Sequence, residues 1–269
     1  MDIRHSHIQT LAAQARADQA RQQPGAALWH ALVTTAITAY PEVEPQQRCD
    51  WIVQDLAIVI LGPFARKYLA WFDKITLDAV QDPLLHAFEA DFAALGLPEG
   101  TPDAPGWREA GYCSKLDDSV DLGLDQTFGS DLRPALNDGT DNQIFHTFFY
   151  HFMAYVTQAK LTIRAASVYH ELFDKGGSPE DHSAALLAIQ AGLRWRSHRD
   201  THPPLIAAWP ESILAVYGDP AQYRVHHPEA QEMAAEAKRL LEDPGWLQGS
   251  LIQAEHAVIR WVNALFPRE

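Results

Sequence analysis

The chain has 269 residues, a formal net charge of −14 and 47% apolar residues. That length suits one large domain, and that apolar share can fill a core without disulfide staples. The acid excess argues against nonspecific binding to nucleic acid or anionic membrane, which needs a basic face.

Hydrophobic spacing is helical nearly throughout, and no run alternates in the manner of a strand. Residues 2–22 are polar and rich in Ala and Gln, a surface helix ended by Pro24-Gly25. This N-terminal unit, 1–24, carries so little apolar surface that it is expected to be mobile. Residues 26–39 form an apolar helix, and Pro41 and Pro45 bracket a turn. A third helix starts at Asp50, breaks at Gly62-Pro63 and resumes to about Phe72; a fourth spans 76–94 with an interruption at Pro83.

From residue 96 to 142 the period fails. Ser114 to Asn142 holds seven Asp, no Glu, one Lys and one Arg. Asp competes for backbone hydrogen bonds and prefers loops and caps, so this is an acidic loop beside a rigid element. Thr140-x-x-Gln143 then reads as a capping box, and Gln143 to Phe173 contains no Gly or Pro, which predicts one long central helix. Ser178-Pro-Glu-Asp181 starts the next, ending near His202. A short segment at 206–217 follows, then a helix from His227-Pro228 to Glu242, and a last one from Asp243-Pro244 to Phe266. In that last helix Leu247, Leu251, Ala254, Val258, Val262 and Leu265 form one apolar face, expected to lie on the core. The expected fold is all-α: a single-domain bundle of about eight helices spanning 1–269, with a long loop at 96–142.

Candidate chemistry gathers at the junction of that loop with the long helix. Asp138, Asp141, His146 and Tyr150 supply acid–base groups, and Asp138 and Asp141 could hold Mg or Ca through oxygen. His170 falls on the apolar face and reads as a packed core histidine. His146 and His151 point about 140° apart at 100° per residue and cannot share a metal. His198 and His202 have i,i+4 spacing, but Pro203 follows at once. The run Arg194-Trp-Arg-Ser-His-Arg199 is the densest positive stretch; Arg194, His198 and Arg199 are candidate anion ligands, and they also suit a helix C-terminus.

Asp117-Asp118-Ser-Val-Asp121 has the letters of the isoprenoid-synthase DDxxD motif, but glycines flank it and no second metal motif follows, so no family is inferred. There is no GxSxG elbow, Walker A sequence or GxGxxG. Cys49 and Cys113 lack metal-type spacing and read as free thiols of a reducing compartment. The N-terminus has no signal-type apolar stretch, and the most apolar run, Leu56–Leu61, falls far short of the roughly 20 residues of a membrane span. The expectation is a soluble cytoplasmic protein that binds a small molecule or a protein partner without catalysis. The competing expectation is a hydrolytic or cation-assisted enzyme with a cleft between the Asp-rich loop and the long helix.

Overall fold

The structure, a computed structural model, describes residues 3–62, 65, 83–94, 131–137, 139, 143–173, 178–200, 203–243 and 245–265. Among them are ten α-helices: α1 (Ile3–Ala20), α2 (Gly25–Ala36), α3 (Pro45–Leu61), α4 (Pro83–Ala94), α5 (Gln143–Thr157), α6 (Lys160–Phe173), α7 (Pro179–His198), α8 (Pro203–Val216), α9 (Pro228–Glu242) and α10 (Trp246–Leu265). A 3-10 turn covers Pro134–Leu136. The all-α expectation holds: among the described residues there is no strand, only an isolated antiparallel bridge between Leu132 and Gly218. No described helix is long and apolar enough to cross a membrane.

Helix boundaries follow local chemistry. Glu44 caps α3 by accepting from the Gln46 N–H at 3.1 Å, and Pro45 fills the first helical position, where its missing donor costs nothing. So α3 begins five residues before the expected Asp50. It ends at Gly62, whose φ of 54° suits glycine, as the Gly-Pro pair predicted. Ser178 caps α7 through the Asp181 N–H at 2.9 Å, and His227 caps α9 through the Glu229 N–H at 3.3 Å.

The packing centre is the α5–α7 pair. Gly192 lets the two backbones approach: a Cβ there would collide with the His151 carbonyl oxygen and sit 3.0 Å from the Ala154 Cβ. Helices α2, α3 and α4 pack on α5, while α8 and α9 form a hairpin against α2 and α7. The core is dominated by large rings. Trp29 stacks on Tyr217 at 4.8 Å, Trp195 meets Trp209 at 4.3 Å, and Phe88 stacks on Phe152 at 6.0 Å.

Helix α1 is docked on the rest of the bundle. Ile8 and Leu11 are fully buried, and Arg4 pairs with the buried Asp55 at 3.0 Å and with Asp91 at 3.1 Å. His7 and the Tyr40 hydroxyl hold the other Asp55 oxygen at 2.8 and 2.6 Å. These polar anchors add to the apolar face of Ile8, Leu11, Ala12 and Ala15.

The single helix expected over 143–173 is two helices. Gln158 adopts φ of 53°, and α6 restarts at Lys160. No Gly or Pro marks the break. Instead the Thr157 hydroxyl donates back to the Met153 carbonyl at 2.9 Å and accepts from the Ala159 N–H at 3.2 Å, capping the new helix. Helix α10 also departs from expectation. Leu251 and Val258, assigned to its buried face, are 48% and 45% exposed, whereas Ile259 is fully buried. Rotation is set by Glu255, which receives Arg164 on both oxygens at 2.9 and 2.7 Å and meets His182 Nε2 at 3.0 Å.

Candidate metal centre

The break at Gln158 builds the site. Along an unbroken helix His146 and His170 would stand about 36 Å apart. Because α6 folds back along α5, their ring centroids are 5.4 Å apart. His146 belongs to the first turn or so of α5, and His170 and Glu171 lie in the last turn of α6. The N-terminus of α7 meets both.

Three metal-ligating groups converge there. Donor atoms of His146, His170 and Glu171 all lie within 4.8 Å of one another, and this is the one such group among the described residues. Glu171 is fully buried, His146 is 5% exposed and His170 is half-buried. His146 Nε2 lies 3.4 Å from Glu171 Oε1. Two ligands on a tetrahedral zinc with bonds of about 2.0–2.1 Å are separated by about 3.4 Å, so this pair already has the spacing of one edge.

The surroundings hold the donors in place. Glu171 Oε2 accepts from the Ser178 N–H at 2.9 Å, which ties the end of α6 to the cap of α7. The Asp181 carbonyl lies 3.2 Å from His146 Nε2. Gln143 donates to the Asp181 carboxylate at 2.6 Å, and Tyr150 packs edge-on against His146 at 5.0 Å. For His146 to ligate through Nε2, its proton must move to Nδ1.

The expected site residues separate into several groups. His146 belongs to the three-donor cluster and Tyr150 packs against it; Asp138 and Asp141 lie outside the described residues, as does Thr140. Of the seven loop aspartates, Asp131 is described, and it is a cap. Its oxygens accept from the Ala26 and Ala27 N–H groups at 3.0 and 2.9 Å and from Tyr223 at 2.7 Å. Arg194 does not turn toward the centre: it binds Glu229, Glu232 and Glu236 of α9 at 3.2, 2.9 and 2.9 Å. Arg199 binds Asp50 at 2.8 Å, and Asp50 also accepts from Tyr155 at 2.5 Å. His198 Nδ1 sits 2.9 Å from the Arg194 carbonyl. These groups tie α7 to α9 and α3.

His170 and Glu171 were not singled out as ligands from sequence. The signal was present: Glu171 is in phase with Ala159, Ile163 and Ser167, which are buried along one stripe of α6. A charged residue on a buried stripe requires a partner.

A second polar chain, Ser167 Oγ to His182 Nδ1 at 2.9 Å and His182 Nε2 to Glu255 at 3.0 Å, has the composition of a nucleophile–base–acid relay. Ser167 and His182 are both fully buried, and Glu255 is saturated by Arg164. Closed to substrate, the chain serves to dock α10. Comparison with family models, curated proteins and solved structures finds no match for this sequence, so geometry alone carries the functional reading.

Proposed function

We propose that this protein binds a zinc-class divalent ion through His146, His170 and Glu171 and uses it in cation-assisted hydrolysis. The observation that carries the reading is the convergence of these three donors, from two helices, within 4.8 Å in a mostly buried place. Two imidazoles and one carboxylate suit zinc and its neighbours better than Mg or Ca, which take oxygen sets. With three protein donors, a bound ion would keep a fourth position for water and would supply Lewis-acid activation of it. The half-buried His170 marks the side from which a substrate reaches that water.

One observation favours a noncatalytic reading. Glu171 already accepts the Ser178 N–H and faces His146, an arrangement that can brace α5, α6 and α7 in a protein that binds a small molecule without chemistry. Cobalt(II) substitution separates the two. A three-donor site with an open position gives visible ligand-field bands that shift on addition of azide, and His170→Ala removes them. A brace binds no cobalt, or binds it with a spectrum that azide leaves unchanged.

A further inference from the structure

A cavity lies away from the metal centre. About 540 Å³ opens between α6, α7, α9 and α10, within the roughly 300–1,000 Å³ range of small-molecule sites. Its α6 wall is Lys160 and Arg164, about 15 and 9 Å along that helix from His170. The floor is apolar: Leu186, Ile189, Leu193 and Leu240. A second cavity of about 200 Å³ shares Leu186 and Leu240 and extends this floor toward Ile252.

The rim carries several hydrogen-bond donors. Arg164 is held by Glu255, and Glu236 is held by Arg194 at 2.9 Å. That leaves Lys160, Arg239, Gln190 and Gln248 against Asp243, with Glu232 acting on Arg239 through space and Glu242 at the smaller cavity. Two cations and two amides thus face an aliphatic floor on a chain of net charge −14.

The geometry points to a binding site for a single-chain amphipathic carboxylate, its tail on Leu186, Ile189, Leu193 and Leu240 and its head between Lys160 and Arg239. The overall field of the protein attracts cations, so a preference for an anion can arise only from a local arrangement of this kind. The site does not depend on the metal centre, and chelated protein serves for the test.

Isothermal titration with decanoate, decan-1-ol and decylamine tests the assignment. Saturable one-to-one binding of decanoate is expected, with weaker binding of the alcohol and none of the amine. Arg239→Ala and Lys160→Ala should each weaken decanoate by about fivefold or more, the effect of losing a charge-assisted contact, and leave the alcohol unchanged. Gln190 is exposed, so Gln190→Trp should block the cavity for both ligands without unfolding the chain. Absence of saturable decanoate binding, equal binding of the amine, or indifference to Gln190→Trp would overturn the assignment.

Discussion

Replacing His151 with Phe should make the fold less sensitive to acid. His151 is 1% exposed and stacked between Phe148 at 5.8 Å and Trp209 at 5.7 Å. Burial pushes its pKa down to about 3. In the unfolded chain the imidazole titrates near 6.5. Below that value the unfolded state takes up a proton that the folded state refuses. Stability is therefore complete above about pH 6.5 and is lost progressively as pH falls toward 3. Between pH 7 and 5 the loss from this one group is about 2 kcal/mol. His256 acts in the same sense over a narrower range: burial first, then the charges of His182 and Arg260, bring it to about 4. Solvent reaches His256, which reduces its share. Urea denaturation of parent and His151→Phe at pH 7 and pH 5 supplies the assay, above the range where most carboxylates titrate. The variant should lose about 2 kcal/mol less between the two pH values. Comparing each protein with itself cancels the repacking cost of the larger ring. Equal losses in the two proteins would refute the argument, because they would mean that His151 is protonated inside the fold.

Gly192→Ala should cost about 2–3 kcal/mol despite the better helix propensity of Ala, because the new methyl meets the His151 carbonyl; an unchanged melting temperature would contradict the close α5–α7 approach. Asp131→Ala should cost about 2–4 kcal/mol in denaturant titrations, since it orphans two N–H groups of α2 and the Tyr223 hydroxyl, with Asp131→Asn intermediate. Burial raises the Glu255 carboxyl, but hydrogen bonds from His182 and Arg164 and their charges outweigh it and bring the pKa to about 2. Its contribution is present above about pH 4.5 and lost toward pH 2, so Glu255→Gln should flatten acid unfolding over that window. Burial pushes the Cys49 thiol up to about 12, so in a Cys113→Ser background native protein should resist Ellman's reagent until unfolded.

The helical class and several boundaries were legible because they are local. Ser178-Pro and His227-Pro state a cap and a first helical residue within two positions, and Gly62-Pro63 states a stop. The break at Gln158 was not legible: a left-handed glutamine carries no composition signal, and the Thr157 hydroxyl that caps α6 looks like any threonine on a helix. That one residue's conformation decides whether His146 and His170 are neighbours, so half of the centre was hidden with it. His146 and Tyr150 drew attention because they follow a recognisable loop–helix junction; Glu171 needed the burial phase of α6, which the longer helix obscured. The rotation of α10 was misread for a different reason. Counting apolar residues favoured Leu251 and Val258, whereas the orientation follows Glu255, whose partners Arg164 and His182 lie 91 and 73 residues away in sequence.

The most direct measurement of the central claim is the position of a bound ion. Crystals grown with one equivalent of zinc, with data collected on both sides of the zinc absorption edge, should show a single strong anomalous peak within about 2.0–2.2 Å of His146, His170 and Glu171. The peak should vanish in Glu171→Gln crystals grown the same way. Zinc bound elsewhere, or an anomalous map that is flat between these three residues while the protein diffracts well, would contradict the account.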